Sequence, residues 1–128
     1  MLMQARAYDL INKRYLTIES IIIARNNMPT ALEVSEFSRC IQLQKPKQAV
    51  LEYSSEIKDN RGELIYEGNV YKYCNSELTV VFKHGAFGYE YKLGSKICFQ
   101  SFYRQSKSLM EEIINGMEYI GTIHDKEN

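Results

Sequence analysis

Between Glu56 and Tyr73 the chain turns, bends and then starts its clearest strand. Asp59-Asn60-Arg61-Gly62 turns for a physical reason. An aspartate side chain accepts hydrogen bonds from backbone N–H groups just ahead of it, and glycine enters positive φ without a Cβ clash. Leu64-Ile65-Tyr66 follows as a short apolar segment. Gly68-Asn69 bends the chain again, because asparagine tolerates left-handed geometry and glycine has no side chain to clash. From Val70 onward the side chains alternate, with Val70, Lys72 and Cys74 against Tyr71 and Tyr73.

Upstream, Gln4–Leu10 and Tyr15–Ile23 read as two strands joined by the polar loop Asn12-Lys13-Arg14. The β-branched density of Thr17, Ile18, Ile21, Ile22 and Ile23 disfavours a helix there. Leu16, Ile18 and Ile22 should share one side, and the all-apolar end should be covered on both faces. Asn26-Asn27-Met28-Pro29 breaks the pattern. Thr30–Arg39 suits either a short capped helix or a strand, and Cys40–Leu43 and Gln48–Tyr53 read as strands on either side of Lys45-Pro46-Lys47.

Downstream, Leu78, Val80 and Phe82 form one face of Glu77–His84. Lys83-His84-Gly85-Ala86 makes a hairpin turn, and Phe87, Tyr89 and Tyr91 return on a single face. Leu93-Gly94-Ser95 turns into a strand over Lys96–Tyr103. The β pattern then stops. Ser108 and Glu111 match a capping box, Leu109, Ile113 and Met117 form an apolar stripe beside Ile114, and Gly116 stands where a left-handed C-terminal glycine belongs. A short helix over about 106–116 follows, marginal alone and therefore docked. Met117–Ile123 closes the chain as a strand before a polar end that contains His124.

Composition narrows the chemistry. Lysine plus arginine equals aspartate plus glutamate, 16 each, so no net charge draws the chain toward DNA or an anionic membrane. Cys40, Cys74 and Cys98 include no C-x-x-C pair, which points to reduced, mostly buried thiols in a cytosolic protein rather than a zinc site. The first residues lack a signal-peptide pattern, and the longest apolar run, Ile21–Ala24, is far too short to span a bilayer. No H-E-x-x-H, P-loop or G-x-S-x-G occurs, and His84 and His124 read as surface histidines. These features point to no catalytic, cofactor-binding or metal-binding residues. Phe87, Tyr89, Tyr91, Phe99 and Tyr103 read first as core, and alternatively as a stacking platform for single-stranded nucleic acid near Lys72, Lys83 and Lys92. Tyr66, Tyr71 and Tyr73 are candidates for a protein interface, where tyrosine is enriched.

Four segments, in order, resemble the YopX-like proteins, a family of small proteins found mainly in phages and prophages of bacteria. Arg6-Ala7-Tyr8-Asp9 with Lys13-Arg14-Tyr15 resembles the family's opening Arg-Ala-Trp-Asp hairpin, with Tyr8 in place of Trp. Tyr53 to Asn69 resembles its central Tyr-Thr-Gly-Leu-Lys-Asp-x-x-Gly-x-x-Ile-Tyr-Glu-Gly-Asp signature, with Ser54-Ser55-Glu56 for Thr-Gly-Leu and Asn69 for Asp. Val81 to Phe87 resembles the hairpin that follows, and Tyr119 to His124 the closing Ile-Gly-Asn-Ile-Tyr strand. Glu67-Gly68-Asn69-Val70 also resembles the first strand entry of SH3-like small barrels. The family supplies no catalytic residues to carry over.

The combined expectation is a mainly β chain forming a single domain over 1–128. An N-terminal β-hairpin region, 1–53, packs with an SH3-like small β-barrel in 54–128 that carries the one short helix. Asp59, Gly62, Gly68 and Asn69 are its structural turns. Functionally, the resemblance implies a phage- or prophage-encoded protein of the bacterial cytoplasm. It would act without catalysis through a protein partner or self-association, with nucleic-acid binding through Lys72, Lys83 and Lys92 as the alternative and no membrane partner.

Overall fold

Short strands joined by tight turns build the molecule, and most of the turns have an identifiable cause in the sequence. The structure, a computed structural model, describes residues 4–23, 28–34, 39–44, 47–103 and 105–127. The turn read at Lys45-Pro46 and the middle of the Thr30–Arg39 segment lie outside the described residues. The chain divides into two units, Met1–Tyr53 and Ser54–Asn128. No helix of the described residues is long and apolar enough to cross a membrane.

In the first unit, β1 (Ala5–Asp9) and β2 (Arg14–Leu16) form a hairpin. Asp9 shapes its loop: Oδ1 accepts from the N–H groups of Ile11 and Asn12 at 2.8 and 3.0 Å, and Oδ2 accepts from the Asn12 amide and from Arg39. The single strand read at Tyr15–Ile23 is two strands. It breaks at Thr17, so β2 pairs with β1 while β3 (Ile18–Ile23) pairs with β4 (Pro29–Val34). A fifth strand, β5 (Arg39–Gln42), joins the other side of β4. The first half of β6 (Ala49–Lys58) adds to the other side of β1.

The core of this unit holds Ala7, Leu16, Leu32, Val34, Ile41 and Ala49, with Ile18, Ile21, Leu43 and Leu51 packed against it. An irregularity in register between Ile18 and Ser20 turns Ile21, not Ile22, to that core. Ile22 is exposed, which corrects the expectation of cover on both faces. Pro29 opens β4, a position where a missing N–H costs little. The described part of the ambiguous segment is strand, not helix.

The second unit begins with the rest of β6, which pairs with β7 (Leu64–Tyr66). A meander follows: β8 (Asn69–Tyr73), β9 (Ser76–Lys83), β10 (Ala86–Leu93) and β11 (Lys96–Ser101). Two-residue turns join them at Cys74-Asn75, His84-Gly85 and Gly94-Ser95. Both central residues of the first two turns have positive φ, the type I′ pattern whose twist matches the flanking strands. The last strand, β12 (Glu118–Thr122), returns to pair with β8, giving the order β11-β10-β9-β8-β12. This sheet forms a half-barrel.

Helix α1 (Lys107–Gly116) links β11 to β12 and buries Ile113 and Ile114, with Met117 just beyond it fully buried. Its cap is Ser106, not Ser108: the Ser106 hydroxyl accepts from the Leu109 N–H at 3.2 Å. Glu111 is therefore not a capping-box partner. Leu109, read as part of the buried stripe, is substantially exposed. Gly116 is the last helical residue rather than a left-handed cap; a Cβ there would lie 2.8 Å from the Tyr73 ring, so packing explains the glycine. Phe82 also departs from its expected face burial. It lies near the end of β9, half exposed, edge-on to Phe87.

Candidate functional site

The Asp59–Gly62 turn is the base of a buried polar cluster. Asp59 Oδ1 accepts from the N–H groups of Arg61 and Glu63 at 2.9 and 3.2 Å. Its Oδ2 accepts from Arg61 Nε and Nη2 at 3.1 and 2.7 Å and from the Tyr71 hydroxyl at 2.9 Å. The Tyr71 hydroxyl in turn accepts from the Asn69 amide at 3.1 Å. Arg61 lies 3.9 Å over the Tyr119 ring, and Tyr119 meets Tyr71 edge-on. Burial alone would raise the Asp59 carboxyl, but the bonds from Arg61, Tyr71 and the backbone outweigh it and hold the group below its ordinary value.

Tyr71 is thus no part of an interaction surface. It is fully buried, because β8 pairs it between Leu78 and Tyr119 on the interior face. Burial pushes its phenol far up, so it stays a neutral donor to Asp59. Gly68, with φ +87, is pinned on both sides: its N–H donates to Val80 C=O, and its C=O accepts from the Ile123 N–H.

The second unit also carries a cleft. Tyr73, Leu78, Tyr89 and Tyr91 line it from β8, β9 and β10, while α1 contributes Leu109 and Ile113. Cys74, Ser76, Gln100 and Gln105 complete the lining of a cavity of about 440 Å³, a size typical of binding pockets. Among the described residues, no charged side chain lines it. Tyr89 is buried against Phe102, with Tyr91 beside it at a centroid distance of 6.1 Å. Burial, then the Tyr91 hydroxyl, pushes the Tyr89 phenol up, with the nearby Gln105 amide pulling the other way. Gln105 Nε2 is buried without a well-formed hydrogen bond among the described residues.

The residues singled out in the sequence scatter. Of Tyr66, Tyr71 and Tyr73, only Tyr73 lines the cleft; Tyr66 is half-buried on β7. Phe87 and Tyr89 fill the interior, Phe99 shares the opposite face with Glu90, and Tyr103 is exposed, so the five aromatics form no single platform. Lys72 sits in register between Glu77 and Glu118, Lys83 is ion-paired with Glu90, and Lys92 lines a separate cavity of about 560 Å³ together with Glu77 and Glu90. Carboxylates therefore interleave with the expected basic patch. Sequence reading assigned no site role to Gln100, Gln105 and Leu109, which reach the cleft from β11, the loop after it and α1; the glutamines carry no local pattern, and Leu109 read only as part of the helix's packing stripe.

Two further expectations are corrected. Cys40 and Cys74 are exposed and Cys98 is half-buried, since Cys74 opens a tight turn and Cys40 alternates with the buried Ile41 on β5. His124 is buried, not solvated, because the chain ends in a 3-10 helix (Ile123–Glu127) tied back through Ile123 to Gly68. His84 is exposed in its turn. Among the described residues, no carboxylate lines the depressions that contain His84 or Cys74, and no three metal-ligating side chains cluster.

A family model described as YopX protein matches residues 5–128. Among solved structures, the crystal structure of protein EF1440 from Enterococcus faecalis aligns with 100% of this chain and 97% of that chain, at 16% identity and a TM-score of 0.59. At that identity the likeness is one of fold. No curated protein matches the chain.

Proposed function

The chain belongs to the YopX family, and on that premise we propose that it is a non-catalytic accessory protein, encoded by a phage or prophage and acting in the bacterial cytoplasm, that binds a protein partner through the tyrosine-lined cleft. The observation that supports this reading is the tyrosine-rich lining of that cleft, uncharged among the described residues. Tyrosine offers a large contact area at low entropic cost and is enriched where proteins meet. A cleft of three tyrosines, Leu109 and Ile113 suits an apolar side chain of a partner, and Gln105 Nε2 offers a donor to the partner's backbone carbonyl. Among the described residues, a phosphate-bearing strand would find no cation lining it. One role that fits a phage origin is modulation of a host or defence protein.

The test is affinity capture from bacteria carrying the phage or prophage, with wild-type chain and a Tyr91→Ser variant run in parallel. A protein retained by the first and lost by the second supports the reading. A captured set that the substitution leaves unchanged, or one of nucleic acid alone, overturns it.

A further inference from the structure

We propose that the open edge of β11 docks a second copy of this chain, which pairs with it antiparallel about a two-fold axis at Cys98. This rests on the reading above, that the protein acts through protein contacts, but it uses the sheet edge instead of the cleft.

β11 ends the five-stranded sheet. Its turn closes at the Leu93/Lys96 pair, so alternation directs the backbone groups of Lys96, Cys98 and Gln100 toward β10. Those of Ile97, Phe99 and Ser101 point away from the sheet. Two hydrogen bonds keep this parity: the Phe102 N–H reaches back to Phe87 C=O at 3.1 Å, and the Ser101 carbonyl accepts from the Gln100 side chain at 3.3 Å. Ser101 is buried, which leaves Ile97 and Phe99 to offer backbone groups that are unpaired among the described residues.

Sheet edges are normally guarded by charge, proline, irregularity or shortness. The other sheet ends follow that rule. β12 carries a register shift between Tyr119 and Gly121 and an exposed Glu118, β2 and β7 have 3 residues each, β3 has two register shifts, and β5 has only 4 residues. By contrast β11 has 6 residues in unbroken register, and after the exposed Lys96 that opens it, from Ile97 to Ser101, it holds neither charge nor proline. Ile97 and Leu93 are 61% and 68% exposed at this corner. With 16 positive and 16 negative side chains, two copies meet without net repulsion.

Antiparallel pairing about Cys98 sets Ile97 of each copy opposite Phe99 of the other, each pair exchanging both of its hydrogen bonds. Cys98 then faces Cys98 of the second copy in a non-hydrogen-bonded pair. Cα atoms in such a pair are about 4.5 Å apart, within the span of a disulfide.

The test uses a Cys40→Ser, Cys74→Ser chain, in which Cys98 is the only thiol, and copper–phenanthroline as the oxidant that accepts the two electrons from two thiols. A disulfide-linked dimer is expected, along with a dimer by sedimentation under reducing conditions in the high micromolar range. Ile97→Pro removes an outward N–H that β10 does not use, and Ile97→Lys places a charge on the edge. Each should give a folded monomer and lose the crosslink. A wild-type monomer at that concentration, a dimer that survives both Ile97 substitutions, or the absence of the Cys98 crosslink overturns the proposal. Partner capture that Ile97→Lys leaves intact separates failure of the edge from failure of the cleft.

Discussion

Asp59 is a buried carboxylate kept ionised by its neighbours, and its replacement should be felt throughout the second unit. Asp59→Asn keeps the shape but trades charge-assisted bonds to Arg61, Tyr71 and two backbone N–H groups for neutral or mismatched ones. The expected loss is about 2 kcal/mol, the scale of a hydrogen bond to a charged group, read by urea unfolding. The pH dependence has a definite sign. The folded carboxyl titrates below its ordinary 3.8, so its contribution is complete above that value and is lost as pH falls through the folded pKa. Asp9, lowered by its loop bonds and Arg39 against the opposing pull of burial, acts in the same direction. The wild-type melting temperature should therefore drop more steeply in acid than that of Asp59→Asn, and parallel curves would contradict this. Asp59 and Gly62 could be read as a turn because their chemistry is local. That Tyr71 completes the cluster could not, because alternation groups Tyr71 with Tyr73 without saying how deeply either is buried.

At the scale of elements, glycines and caps make the sharpest predictions. Gly68→Val forces a β-branched residue into φ +87 at a buried bend bonded to both Val80 and Ile123. It should cost more than about 2 kcal/mol, from left-handed strain plus displacement of these bonds, and unchanged melting would refute it. Gly121→Ala should also destabilise, since φ is +141 and a Cβ would lie 2.3 Å from the Asp125 carboxylate that accepts from the Thr122 N–H. Ser106→Ala should lower helix stability by about 1 kcal/mol while Ser108→Ala does almost nothing, measured by the same unfolding assay; the reverse result would restore the capping box at Ser108. Much at this scale was legible. The hairpins at His84-Gly85 and Gly94-Ser95 announce themselves through turn residues between alternating strands. The break at Thr17 and the shift near Ser20 were hidden, because an unbroken β-branched run carries no mark where pairing changes partner. The helix was visible but its cap was misplaced, since two serines stand two residues apart and only backbone geometry selects Ser106.

For the whole molecule, the half-barrel order brings residues from four strands and a helix around one cleft, and that convergence is where sequence reading stopped. Tyr73, Tyr89 and Tyr91 were visible as aromatic positions; Gln105 and Leu109 join them only through the path from β11 into α1. The basic patch looked coherent in one dimension but is interleaved with Glu77, Glu90 and Glu118 in three. On this account Lys72, Lys83 and Lys92 are solvating residues, and the cleft does the binding. The most direct test is a titration of the purified captured partner against the wild-type chain, Tyr91→Ser, and a Lys72→Ala/Lys83→Ala/Lys92→Ala variant. Saturable binding weakened by roughly tenfold or more in Tyr91→Ser, and unchanged in the lysine variant, is the predicted result. Equal binding by wild type and Tyr91→Ser, or affinity lost with the lysines and falling steeply with salt, would contradict it.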